Sequence, residues 1–158
     1  MSITVGIADL NVGRDKDVLV TYALGSCVGI CLYDSERKVG GLAHIMLPSS
    51  KEASAPHDNL RRYADTGIAE LINIMSMKGA NPNRLTAKIA GGAQMFSVSS
   101  AVFNIGERNI AAVKQVLTNH KIRLLAEETG SNFGRTVFFN VNDGIMEVRA
   151  ANKPILRR

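Results

Sequence analysis

Residues 25–33 read GSCVGICLY, and this stretch decides the fold class. A cysteine between two glycines is compatible with the sharp turn that presents the nucleophile in α/β hydrolases, but that turn leads directly into a helix. The residues after Cys27 are instead apolar, β-branched or aromatic, which predicts a strand. The α/β-hydrolase architecture is therefore rejected, and Cys27 is expected at a corner between two strands.

The segments around this corner predict more strands and two helices. Residues 39–47 follow the cysteine-bearing strand after a charged five-residue turn, which indicates a hairpin. Apolar residues at helical spacing predict a helix over about 64–75, and a second helix is predicted over about 107–120. The other strands are predicted at 3–8, 18–22, 86–90, 122–126, 135–141 and 145–149, with a turn at 11–15.

This order of elements indicates an α+β sandwich. A doubly wound parallel sheet needs a helix after nearly every strand, and two helices among about eight strands do not supply it. A length of 158 residues suits one hydrophobic core, so residues 1–158 are expected to form a single domain. Hydrophobic residues at 46% and charged residues at 21% exclude a disordered or low-complexity chain.

The sequence also limits compartment and partners. The uncharged stretches 18–33 and 89–106 are interrupted by Gly, Ser, Thr or Asn, whereas a membrane span requires ~20 mostly apolar residues. Residues 1–6 lack the features of a secretory signal, so a cytoplasmic location is expected. The net charge is +5, but scattered basic residues and only 5% aromatic residues argue against nucleic-acid binding.

The two cysteines are expected to differ. Glycines flank Cys27, so a ligand can approach there and backbone N–H groups can stabilise an oxyanion; the alternative is a small buried hydrophobe. Cys31 lies inside an apolar strand and is expected in the core. In an extended strand the two Cα atoms are ~13 Å apart, beyond disulfide reach. Cys-x3-Cys on a strand does not suit a metal, and no cofactor is predicted.

A cysteine nucleophile needs a base, and three histidines are candidates. His44 lies in an apolar strand predicted to pair with the strand after Cys27, so it is either a satisfied core histidine or the base. His120 ends the second predicted helix, where a cation favours the helix dipole, and His57 lies in a loop. His44 is therefore the preferred candidate.

A third group would fix the tautomer of that imidazole. Thr21 lies on the strand before the corner and is placed by topology to do so through its hydroxyl. Ser26 and a backbone carbonyl are alternatives that the sequence does not separate from Thr21.

Five motifs in this order carry a resemblance to a known family. They are LGSCV at 24–28, GGLAHIMLP at 40–48, RY at 62–63, KIAGGAQM at 88–95 and IGERN at 105–109. Over about residues 5–148 the chain resembles the CheD family of chemoreceptor glutamine deamidases. The resemblance implies a layered α/β/β sandwich with mixed sheets and two main helices, similar to the catalytic domain of cytotoxic necrotizing factor toxins.

The resemblance also implies a reaction. Cys27 is the nucleophile, His44 its base and Thr21 the third member of the triad. The thiolate attacks the side-chain amide of a receptor glutamine, and backbone N–H groups of Ser26, Cys27 and Val28 hold the oxyanion. Ammonia leaves and water hydrolyses the thioester to give glutamate. Some members are also credited with hydrolysing the methyl ester.

Two partners follow from the resemblance. The first is the set of cytoplasmic helices of chemoreceptors, which are the substrate. The second is the CheY-phosphate phosphatase CheC. Members of the family stimulate CheC, and CheC then occupies the surface by which they bind receptors. The alternative function is that of a non-catalytic protein that binds and regulates CheC and chemoreceptors.

The segment 94–104 has neither strand nor helix periodicity, yet it carries four large apolar residues: Met95, Phe96, Val102 and Phe103. They either complete the core or form an exposed patch that docks a helix of the receptor, or of CheC in its place. We take the docking patch as the prediction for the partner surface.

Overall fold

The computed structural model describes residues 1–52, 58–95 and 104–158. Within these ranges the chain forms ten strands in two sheets, two α-helices and three 3₁₀ helices, at Ser50–Glu52, Leu60–Arg62 and Pro82–Arg84. The helices are α1 (Ala64–Met77) and α2 (Ile105–Asn119). The strands are β1 (Ser2–Thr4), β2 (Asp9–Arg14), β3 (Val18–Leu24), β4 (Val28–Asp34), β5 (Val39–Ile45), β6 (Thr86–Gly91), β7 (Arg123–Thr129), β8 (Arg135–Asn140), β9 (Met146–Arg149) and β10 (Leu156–Arg157).

The two five-stranded sheets are both mixed. The middle sheet has the order β2-β5-β4-β6-β7, and only its β6–β7 pair is parallel. The outer sheet has the order β1-β3-β8-β9-β10, and only its β1–β3 pair is parallel. The predicted hairpin is confirmed as β4 and β5, which pair from Val28 opposite Ile45 to Asp34 opposite Val39.

The elements stack in three layers with a core on each side of the middle sheet. Both helices cover one face of that sheet, and the other face packs against the outer sheet. Strand alternation divides β4 between the cores, because Ile30 and its alternate neighbours face the helices while Cys31 faces the outer sheet. The predicted α+β class with helix, sheet and sheet layers is confirmed.

Two local predictions are wrong. The segment 11–15 was expected to be a turn, but it falls largely within β2, which pairs with β5 from Asp9 to Arg14. Burial of Leu10 and Val12 beneath α1 outweighs the turn-forming preference of Asn11 and Gly13. The predicted strand 3–8 is shorter, since β1 ends at Thr4.

Candidate active site

Cys27 lies where the chain crosses from the outer sheet to the middle sheet. β3 ends at Leu24 and β4 begins at Val28. The β3–β8 register shifts between Thr21 and Leu24, and Ala23 has a φ of +59° within this irregular turn. Residues 25–27 therefore connect the two sheets, and Cys27 lies at the end of the gap between them.

The turn after β6 holds the backbone of this corner. Gly92 N donates to Cys27 O at 2.8 Å, and Ala93 N donates to Gly25 O at 2.8 Å. Gly91 has a φ of +109°, and a Cβ atom there would lie 2.3 Å from Cys27 O. Only glycine allows β6 to approach the nucleophile corner this closely.

A hydrogen-bonded chain links His44 to the outer sheet. Thr21 Oγ1 donates to Val5 O at 2.7 Å and lies 2.7 Å from His44 Nδ1. A hydroxyl has one proton, and since it goes to Val5 O, the contact with the imidazole is a bond donated by Nδ1–H. The tautomer of His44 therefore carries its proton on Nδ1 and has a bare Nε2.

The bare nitrogen of His44 is buried and unused. Nε2 has no hydrogen-bond partner among the residues that the structure describes. Burial lowers the pKa of His44 from 6.5 to about 4, so the imidazole is neutral at neutral pH. A neutral imidazole with an unoccupied Nε2 is a proton acceptor, which is the property that a general base needs.

Cys27 lies at a position diagonal to His44 on the middle sheet. Gly29 pairs with His44 across β4 and β5, and Cys27 precedes Gly29 by two residues on the same face. Diagonal positions in a sheet are ~7–8 Å apart, within reach of side-chain movements. The thiol is half-buried, and burial raises its pKa, with its own backbone N–H acting in the opposite direction. A neutral thiol and a neutral imidazole thus occupy diagonal positions on one face of the middle sheet.

Asn109 on α2 is a polar residue at this site that the sequence analysis assigned no role. Its Nδ2 donates to Ser26 O and to Met46 O, both at 2.9 Å. One amide therefore ties the nucleophile corner to the residue after β5, which carries His44. The available signal was its spacing, because Asn109 continues the buried stripe of Val113 and Leu117 on α2.

The remaining predicted residues separate into three groups. Cys31 is buried in the core between the sheets, and burial raises its pKa. Met95 is 45% exposed and packs near Gly25, beside the corner. Phe96, Val102 and Phe103, predicted for the partner surface, lie outside the described residues, as does His57.

The described ranges contain no group of three His, Cys, Asp or Glu side chains arranged to hold a metal ion. In the same ranges, neither α1 nor α2 is long and apolar enough to cross a membrane.

Comparison with known proteins gives matches over most of the chain. The family model described as "CheD chemotactic sensory transduction" matches residues 46–150. A protein of Caldanaerobacter subterraneus is 51% identical over 149 residues, which are 93% of this chain and 91% of that protein. A protein of Lachnoclostridium phytofermentans is 46% identical over 154 residues, 96% of this chain and 95% of that one. Both are named "Probable chemoreceptor glutamine deamidase CheD".

One solved structure shares the fold at low sequence identity. A DUF152 protein of Neisseria meningitidis superposes with a TM-score of 0.53 and 10% identity, covering 88% of this chain and 74% of that one. At this identity the likeness concerns architecture alone, and it agrees with the layered α+β fold.

Proposed function

The chain belongs to the CheD family, and from this membership we propose that it deamidates glutamine side chains of chemoreceptors by a cysteine hydrolase mechanism. Cys27 is the nucleophile, His44 the general base and Thr21 the residue that orients the base. The observation that carries this assignment is the bond from His44 Nδ1–H to Thr21, which leaves a bare, buried Nε2 beside the thiol corner. The homologues' names supply the substrate.

The first half of the reaction forms a thioester. Nε2 of His44 takes the proton of the Cys27 thiol as Sγ attacks the amide carbon of the substrate glutamine. The carbonyl oxygen becomes an oxyanion held by backbone N–H groups of the corner, residues 26–28. Those of Ser26 and Cys27 make no backbone hydrogen bond with another described residue, which supports this role.

Ammonia then leaves with the proton that His44 took from the thiol. The C–N bond breaks, the imidazolium protonates the departing nitrogen, and the neutral imidazole is restored. Burial of His44 makes its imidazolium a strong acid, which favours rapid transfer to the leaving group. Thr21 accepts the bond from Nδ1–H throughout and prevents rotation of the ring.

The second half of the reaction hydrolyses the thioester. His44 removes a proton from water, the hydroxide adds to the thioester carbon, and the Cys27 sulfur leaves and regains its proton. The products are glutamate and free enzyme. A glutamate methyl ester would follow the same steps with methanol as the leaving group, and we include this methylesterase reaction in the proposal.

Two partners are proposed: the cytoplasmic helices of chemoreceptors, as substrate, and the phosphatase CheC. Because the receptor helices are cytoplasmic, we place the reaction in the cytoplasm. Met95 supports a partner surface beside the nucleophile corner, because it is exposed and packs near Gly25. A partner helix that covers Met95 would also cover the approach to Cys27. Binding of CheC and of receptor would then be mutually exclusive.

Mass spectrometry of receptor fragments tests the catalytic assignment. The unaltered enzyme should raise the mass of a fragment by roughly one dalton per deamidated glutamine, since an NH₂ group is replaced by OH. Cys27→Ser and His44→Ala should each abolish this shift while retaining the native circular dichroism spectrum, because nucleophile and base act as a unit.

Cys31→Ser is the matched control for the loss of a thiol. It should cost stability through a buried hydroxyl but keep the mass shift. Activity in a folded Cys27→Ser protein would contradict the mechanism. Receptor binding without any deamidation by the unaltered chain would favour the non-catalytic regulatory function instead.

A further inference from the structure

A small basic cavity lies at the end of the sheet gap that carries Cys27, and the proposed mechanism does not use it. The cavity has a volume of about 100 Å³ and lies between β7, the start of β8, and β9 with the turn that follows it. A water molecule takes about 30 Å³ of liquid, so the cavity has room for a carboxylate group. Its charged lining residues are Glu128, Arg135 and Lys153.

Arg135 is a buried cation that forms no ion pair in the part of the chain that the structure describes. Within that part, the residue is 5% exposed and its side chain makes one hydrogen bond, from Nη1 to Gly130 O at 2.9 Å. Burial lowers its pKa, and the nearby carboxylate of Glu128 acts in the opposite direction. A guanidinium has five N–H donors, and holding it in a protein interior without an anion is costly.

The surroundings of Arg135 are also positive. Arg135 and Lys153 both lie over the ring of Phe133, at 4.4 Å and 4.5 Å from its centre. The one carboxylate lining the cavity, Glu128, already accepts a bond from Arg158 Nε at 2.7 Å. Glu128 acts on Arg135 but is shared with Arg158, so the two lining cations exceed the one lining carboxylate, and an additional anion would balance them.

Arg135 is connected to the nucleophile corner through short backbone links. It pairs with Leu24, the last residue of β3 before the corner. Its acceptor Gly130 donates from N to Gly91 O at 3.0 Å, and the next residue, Gly92, donates to Cys27 O. These links place the cavity and the nucleophile corner on directly hydrogen-bonded segments at the same end of the sheet gap.

We propose that Arg135 and Lys153 form a subsite for the carboxylate of a glutamate or aspartate close to the reactive glutamine in the substrate protein. The subsite rests on the proposed function and adds to it a substrate class, glutamines in acidic surroundings. Arg135 supplies the buried donors, while exposed Lys153 attracts the carboxylate to the entrance.

Peptide kinetics test the subsite. Three peptides carry one glutamine flanked by glutamates, by alanines or by lysines, and each is assayed with the unaltered enzyme, Lys153→Gln, Arg135→Gln and Lys16→Gln. Lys16 is an exposed control cation before the start of β3, the end opposite Leu24. KM should be lowest for the acidic peptide, and Lys153→Gln should raise that KM about fivefold without changing kcat.

The alanine peptide separates recognition from structure. Its KM should be unaffected by Lys153→Gln, and Lys16→Gln should affect neither peptide. The subsite would be overturned if Lys153→Gln changed KM equally for the acidic and alanine peptides. It would also be overturned if the unaltered enzyme showed no preference for the acidic peptide. Lys153→Gln alone decides this if Arg135→Gln fails to fold.

Binding measurements test the subsite independently of catalysis. Fluorescence anisotropy of the labelled peptides with Cys27→Ser should show the same acidic preference and the same loss in Lys153→Gln. If no peptide is deamidated but this contrast persists, the proposed function fails and the subsite stands. If acetate stabilised the folded enzyme but the peptides showed no acidic preference, the cavity would be a site for free anions. The substrate assignment would then be overturned.

Discussion

The single proton of the Thr21 hydroxyl determines which nitrogen of His44 can act as a base. It is donated to Val5 O, so Thr21 can only accept from Nδ1–H, and Nε2 is left bare. In the proposed mechanism, a neutral hydroxyl performs the orienting role that a carboxylate performs in serine hydrolases, without stabilising an imidazolium by charge. This agrees with the low pKa of His44 and with a base that is protonated only briefly.

Replacing Thr21 by valine should therefore slow the reaction without abolishing it. Thr21→Val keeps the shape of the side chain but removes the acceptor for Nδ1–H, so both tautomers and ring rotation become accessible. We expect kcat for deamidation to fall about tenfold to hundredfold, less than the loss from removing the base itself. Thr21→Ser, which retains the hydroxyl, should recover most of the rate, and an unchanged rate in Thr21→Val would show that another group orients His44.

Helix α2 links the separate parts of the site at the level of whole elements. Asn109 joins the carbonyls of Ser26 and Met46, which belong to the corner and to the end of the histidine strand. Gly106 lies against the turn after β6, where a Cβ atom would be 2.4 Å from Ala93 O. The first turns of α2 therefore contact the nucleophile corner, the residue after the histidine strand and the turn after β6.

Asn109→Leu should weaken both stability and catalysis. The substitution keeps the branching of the side chain but leaves two carbonyl groups without their donor, which costs about 1–3 kcal/mol of unfolding free energy. We expect kcat to fall about tenfold with little change in KM, because substrate binding does not involve this amide. Gln115→Leu, on the exposed face of the same helix, is the control, and equal effects from the two substitutions would remove the positioning role.

Stability of the whole molecule should depend on pH through His44. The pKa is about 4 in the folded protein and near 6.5 in the unfolded chain, so between these values the unfolded state binds more protons. Stability is complete above pH 6.5 and is lost as the pH falls, by about 2 kcal/mol at pH 5 and ~3 kcal/mol at pH 4. Asp34, whose pKa is lowered and which pairs with Arg84, adds its own loss only below this window.

Denaturant unfolding at pH 7, 6, 5 and 4.5 measures this dependence. His44→Gln removes the titrating group, so its unfolding free energy should change much less over the same range, whatever its value at pH 7. Parallel curves for the two proteins would mean that other groups cause the acid sensitivity.

The local pattern of residues predicted much of the fold. The apolar run after Cys27 indicated a strand, and the charged turn before β5 indicated a hairpin. Helical spacing predicted α1 and α2 with ends that differ by a few residues from those in the structure. These signals depend on neighbours in the chain, and so a sequence carries them. The segment of β2 was mistaken for a turn, because its strand conformation depends on pairing with β5 and burial beneath α1.

The sequence by itself determined the corner at Cys27, the strand that carries His44 and the resemblance that named the family. The tertiary structure decided how distant residues meet: Thr21 and His44 are 23 positions apart, and Asn109 and Ser26 are 83 apart. It also decided that Arg135 is buried and forms no ion pair with the described residues. Such contacts arise from the packing of two sheets and a helix, which brings together residues whose local sequences carry no sign of one another.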